Sequence, residues 1–97
     1  METIAQHDLC TVLHDPCNSL PFVKEITGRR RNWVVEETGD YERDFETGRR
    51  FARRLVSAIR NRSVSPFFLS YVIQDMPAEK GAIEQAFISE IGCVLVA

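Results

Sequence analysis

The feature that most constrains this chain is a twenty-residue segment with helical periodicity. At 100° per residue, Tyr41, Phe45, Gly48, Ala52, Leu55, Val56 and Ile59 fall on one face. Phe51 and Ala58 lie at its edge, and Glu42, Arg43, Glu46, Arg49, Arg50, Arg53, Arg54, Ser57 and Arg60 fall on the other. Such a stripe predicts an amphipathic helix from about Tyr41 to Arg60, one side committed to a core. Asp40 can cap its start, and its acids precede most of its arginines, as the helix dipole favours. Gly48 sits inside the apolar stripe, where a missing side chain lets another backbone come close.

Shorter elements flank it. Residues 3–14 read as a helix with Thr3 as cap and Ala5, Leu9, Val12 and Leu13 near one face, stopped by Pro16. Phe22 to Thr27 and Asn32 to Glu37 read as strands, and Gly28-Arg29-Arg30-Arg31 as the loop of a hairpin with the arginines at its tip. Ser65-Pro66 signals a helix start, followed by the apolar run Phe67, Phe68, Tyr71, Val72 and Met76, with Pro77 as the stop. A last helix runs from about Glu79 or Ala82 to Leu95, with Ile83, Ala86, Phe87, Ile91 and Val94 on one face. The expected fold is α+β and mostly helical. Three to four helices form the core beside a small two-stranded antiparallel hairpin, in the order α-β-β-α-α-α, as one globular domain over residues 1–97.

Composition narrows the function classes. With 44% hydrophobic residues the chain can bury a core. No stretch approaches the about 20 apolar residues that span a bilayer, and no signal peptide is visible, so a cytoplasmic location without membrane contact is expected. Three cysteines are an odd number and argue against a disulfide framework. The net charge of −2 hides a division. All ten arginines lie between Arg29 and Arg62, so residues 29–62 carry +4 while each flank carries −3.

Three features are candidates for function. Arg49, Arg50, Arg53 and Arg54 project from one side of the long helix, and Arg29, Arg30 and Arg31 can join them from the hairpin. Guanidinium forks suit phosphate and carboxylate, so this surface points to an acidic protein or a nucleic-acid backbone. The bland reading is a solvated face partly neutralised by Glu42 and Glu46, with the acidic flanks folded over it. No aromatic residue interleaves these helix arginines, which disfavours single-strand binding there. Asp75, Glu79, Glu84 and Glu90 make a second, acidic patch. The third feature is the repeat His7-Asp8-Leu9-Cys10 and His14-Asp15-Pro16-Cys17, whose His7, Cys10, His14 and Cys17 are metal-ligand types or a thiol–imidazole pair. One continuous helix cannot close four of them into a tetrahedron, no Cys-x-x-Cys knuckle is present, and no oxyanion group stands beside the thiol. No metal or cofactor is therefore assigned, and no catalytic residue.

Asp40, Glu42, Asp44 and Glu46 alternate as in a calcium loop, but the sixth position is Phe45 and the twelfth Phe51. Acids at a helix start explain the run better. Asp44 falls on the apolar side of the helix and requires a hydrogen-bonding partner.

The stretch Gly39-Asp40-Tyr41, Asp44 and Gly48-Arg49-Arg50-Phe51-Ala52, preceded by a strand with Trp33, resembles small proteins of prophages, plasmids and integrative elements. The resemblance spans residues 33–91, taking in Phe67 to Met76 and Gly81 to Ile91. It departs where Gln85-Ala86-Phe87 replaces a common Gly-Phe-Phe. It implies no catalytic activity. What it implies is a mobile-element accessory protein that binds a host protein complex, as anti-CRISPR-like inhibitors do by occupying nuclease or nucleic-acid surfaces. A nucleic-acid-binding accessory role through the arginines is the alternative, and a metal- or thiol-dependent activity at the N-terminal repeat is a third.

Overall fold

The computed structural model describes residues 16–96. The helix expected over residues 3–14 lies outside them. A single 3-10 turn, Pro16–Ser19, leads into an antiparallel hairpin of β1 (Lys24–Ile26) and β2 (Arg29–Arg31). Three helices follow: α1 (Tyr41–Arg60), α2 (Phe68–Asp75) and α3 (Ala82–Val96). The α+β class and the β-β-α-α-α order of the described residues match the expectation.

The hairpin differs from its expected form. Its turn is Thr27-Gly28, both with positive φ (48° and 79°), the two-residue geometry whose twist suits paired strands. The three arginines therefore form β2 itself instead of the tip. Phe22 and Val23 precede the strand pair, and Asn32 onward leaves it as irregular extended chain. The Val34 N–H still donates to the Phe22 carbonyl at 2.8 Å, so both arms stay together below the ribbon. That places Phe22 and Trp33 in the core while all six strand residues are exposed.

Helix α1 occupies the expected span. Asp40 caps it by accepting from the N–H groups of Glu42 and Arg43. At its end Arg62 adopts φ 66°, with Ser63 N–H on the Ala58 carbonyl and Arg62 N–H on the Ile59 carbonyl, both 3.0 Å. This is a left-handed helix stop with an arginine where glycine is usual. Helix α2 buries Phe68 and Val72, with Met76 buried just past its end, and leaves Tyr71 and the preceding Phe67 outside.

Helices α1 and α3 run side by side in one direction, because Gly48 meets Ile83 and Ala86 while Arg49 and Arg53 meet Glu90 further along. Gly48 makes that approach possible: a Cβ there would overlap the Ile83 carbonyl oxygen and lie 2.8 Å from Ala86 Cβ. Above the crossing Phe22, Trp33, Phe51 and Phe87 pack ring on ring. Trp33 and Phe87 centroids are 4.9 Å apart, and Phe22 and Trp33 5.2 Å. No helix among the described residues is long and apolar enough to cross a membrane.

Candidate functional site

Residues of the long-helix arginine face are partly spent within the molecule. Arg49 Nε donates to Glu90 Oε1 at 3.3 Å and Arg53 Nε to Glu90 Oε2 at 3.2 Å, while Glu46 stands 3.8–3.9 Å from both guanidinium groups. The Arg53 hydrogen bond, opposed by desolvation and aided by Arg49, holds the Glu90 carboxyl below the usual carboxylate range. Two of the four expected contact arginines thus face a paired carboxylate. Arg50 lies over the Phe51 ring at 5.5 Å. Arg50, Arg54 and Arg60 are exposed and carry no acidic partner among the described residues.

The expected acidic patch is not a patch. Glu84 is 3% exposed, accepting from Trp33 Nε1 and from the Gly81 N–H, each at 2.8 Å. It is a structural residue, because both of its oxygens are used inside the core. Glu90 closes the arginine cluster. Asp75 accepts from the Asn32 N–H at 2.9 Å and so ties the end of β2 to α2. Glu79 is exposed, with Lys80 and Gly81 beside it in a shallow cleft.

Asp44, suspicious in the sequence because it falls on the buried side, is 3% exposed and closes the loop before α1. Its carboxylate accepts from Thr38 N–H and Thr38 Oγ1 at 2.9–3.1 Å. The Thr38 backbone bond is the main cause that draws its pKa below the ordinary value, against the opposing effect of burial. Local capping accounts for it.

The hairpin gathers a second set of exposed cations. Its register pairs Lys24 with Arg31, Glu25 with Arg30 and Ile26 with Arg29. Directly paired residues share a face and alternate along a strand. Lys24, Arg29 and Arg31 therefore share one face with Ile26, and Arg30 and Glu25 share the other. Lys24, Arg29 and Arg31 have no acidic partner among the described residues. Lys24 also borders a cleft of about 470 Å³ between the hairpin arms and α1, floored by Val35, Phe51 and Ile83. On the opposite face Arg30 lies 5.3 Å over the ring of Phe68, whose centroid is 6.4 Å from that of Tyr71. Sequence reading placed the triple arginine on a loop and Phe67 and Tyr71 in an apolar run. Lys24 was missed. The signal for it was the strand alternation on the far side of Thr27-Gly28, which sets Lys24 level with Arg31.

Of the metal-ligand repeat, His7, Cys10 and His14 lie outside the described residues. Cys17 is half-buried and packs against the core. Among the described residues no group of three or more His, Cys, Asp or Glu side chains is arranged to hold a metal ion. No protein-family model, curated protein or solved structure matches this chain.

Proposed function

We propose that this chain is a non-enzymatic binding protein whose β-hairpin docks on a polyanionic surface of a host protein complex. The mobile-element resemblance of residues 33–91 supplies the context, including the anti-CRISPR-like inhibitor role. The observation that carries the reading is that Lys24, Arg29 and Arg31, without an acidic partner among the described residues, gather on one face of the ribbon, while Arg49 and Arg53 of α1 share Glu46 and Glu90. Cations without internal partners pay no cost of breaking an existing pair on meeting carboxylates or phosphates, and exposed ones steer association. The expected α1 contacts shift accordingly: Arg50 and Arg54 remain open for contact, and Arg49 and Arg53 serve the fold.

The test is a tagged pull-down from bacterial lysate, with and without nuclease, comparing the wild type with a Lys24→Glu, Arg29→Glu, Arg31→Glu variant. The expected result is a stoichiometric complex retained by the wild type and lost by the variant. An identical captured set from both proteins sinks the hairpin as the docking element. Hairpin-dependent capture that survives nuclease supports a protein surface, and capture that disappears with nuclease moves the partner to nucleic acid.

A further inference from the structure

The cation-bearing face of the ribbon opens onto the cleft that Lys24 borders. The cleft's volume is about 470 Å³, and its apolar surface comes mainly from Val34, Val35, Phe51 and Ile83. Val34, Val35 and Phe51 are only half-buried. Apolar surface left in water there is a loss that an apolar group from outside would recover. Two cations edge the cleft. Lys24 belongs to its lining, and Arg50 holds its guanidinium 5.5 Å over the ring of Phe51, which brings a second charge in from α1. Arg31 stands directly across the ribbon from Lys24 and on the same face. Further along that face Ile26, 44% exposed, shares a smaller hollow of about 160 Å³ with Arg29 and Arg31. Arg30, on the reverse face, turns to Phe68 of α2 and takes no part. The cleft and the cationic face of the hairpin are therefore one surface, a recessed apolar floor with Lys24 and Arg50 at its edge and Arg31 beside Lys24.

We infer that this cleft takes one apolar side chain from an acidic segment of the partner protein, whose flanking carboxylates meet Lys24, Arg31 and Arg50. The inference rests on the hairpin docking reading above and names what the partner presents. Charge complementarity selects the occupant: the cations at the rim repel a basic segment and draw an acidic one. The floor selects further. Buried apolar anchors in a pocket carry most of the energy of a protein interface, while rim charges steer and orient. A run of acids alone would leave Val35, Phe51 and Ile83 unused, and a phosphate backbone brings no aliphatic group to fill the hollow. Glu36, also in the lining, disfavours a carboxylate at the floor itself. The residue that enters is therefore uncharged, and the acids flank it.

The test uses the full chain and two fluorescein-labelled poly-glutamate peptides, one with a central leucine and one with serine in its place. Anisotropy at low salt should show binding of both, tighter by about tenfold for the leucine peptide, as burial of one aliphatic side chain provides. Lys24→Glu with Arg50→Glu should weaken both peptides, and the deficit should shrink as salt screens the charges. Thr47 lines the cleft from α1, so Thr47→Trp sets an indole in the hollow. That variant should lose the preference for leucine and keep the charge-dependent binding that the two peptides share. Thermal midpoints check that the variants fold, and the comparison of peptides on the wild type needs no variant at all. Four results would overturn the inference: no binding of either peptide at low salt, equal affinity for both, a leucine preference that Thr47→Trp leaves intact, or tighter binding of an oligo-dT than of the leucine peptide. Self-association of the free chain that Thr47→Trp abolishes would also overturn it, by giving the cleft to a second copy. Equal affinity for the two peptides with a hairpin-dependent, nuclease-resistant pull-down removes the cleft and leaves the docking reading standing. A pull-down without hairpin dependence, with the leucine preference present and sensitive to Thr47→Trp, does the reverse.

Discussion

Trp33 and Glu84, 51 positions apart, meet in the core through a 2.8 Å hydrogen bond from the indole nitrogen to a carboxylate oxygen. The other oxygen accepts from the Gly81 N–H, three residues back at the start of α3. Glu84 thus caps its own helix and anchors the strand-side tryptophan, the reciprocal half of a capping box turned to tertiary use. An amide at this position replaces one of the two accepting oxygens with an NH2 donor, which would face either the indole N–H or the Gly81 N–H. Glu84→Gln should therefore cost about 1–3 kcal/mol, and Glu84→Ala at least as much, because the buried indole N–H loses its partner. Urea titration followed by the emission of Trp33, the single tryptophan, measures it. Unchanged midpoints would show that the bond contributes nothing.

The two helix glycines Gly48 and Gly92 should respond oppositely to the same substitution. A methyl group at position 48 would run into the backbone of Ile83, which cannot rotate away, so Gly48→Ala should destabilise by about 1–3 kcal/mol as overpacking does. A methyl group at position 92 meets nothing within 4 Å. Gly92→Ala should stabilise by up to about 1 kcal/mol through helix propensity. Thermal unfolding of the pair gives the signs directly.

Much of this architecture was legible in the sequence, and the failures have physical causes. The span of α1, its Asp40 cap and the Pro77 stop follow from local rules, in which one or two residues decide the outcome. The hairpin register did not follow. Thr27-Gly28 is a poor advertisement for a turn, since a β-branched residue rarely takes φ near 48°, and Gly28-Arg29-Arg30-Arg31 looked like a more ordinary loop. The roles of Glu84 and Glu90 were beyond local reading, because each is decided by a partner 37 to 51 positions away. The exposure of Phe67 and Tyr71 depended on which face of a short, broadly apolar helix met the core. Composition did not decide that.

Strain at two positions makes stabilising changes predictable. Thr27 and Arg62 hold φ values of 48° and 66°, a conformation that costs residues with a Cβ roughly 1–2 kcal/mol. Asn suits the hairpin turn and Gly the helix stop. Thr27→Asn and Arg62→Gly should each raise stability by about 0.5–1 kcal/mol, Gly giving back part of its gain through unfolded-state entropy. Denaturant midpoints that fall in both variants would contradict the assignment of these turns.

Acid sensitivity should trace to Asp44 and Glu90. Both carboxyls have folded-state pKa values below their ordinary 3.8 and 4.5, so the unfolded chain binds more protons in this range. Their contribution is complete above the unfolded values and is lost as the pH falls through the folded ones. Stability should decline below about pH 5. Asp44→Asn should lower stability at neutral pH and flatten that acid limb, because the Thr38 bonds no longer favour an ionised group. Equal slopes for wild type and variant would assign the acid limb elsewhere.

The arginines divide into two groups that a stability measurement separates. Arg49 and Arg53 converge on Glu90, so Arg49→Glu with Arg53→Glu would crowd like charges around two existing acids, Glu46 and Glu90. Partly exposed pairs of this kind contribute up to about 1 kcal/mol each, and reversal adds repulsion to the loss. The double variant should lower the thermal midpoint at low salt, and added salt should recover part of the deficit by screening. The Lys24→Glu, Arg29→Glu, Arg31→Glu variant breaks no internal pair among the described residues and sits on a fully exposed ribbon, so its midpoint should stay within a degree or so of the wild type, in line with surface substitutions. A salt-independent loss in the first variant would deny the Glu90 cluster an electrostatic role. A large loss in the second would mean that the ribbon's cations hold the fold together and are not held in reserve for a partner.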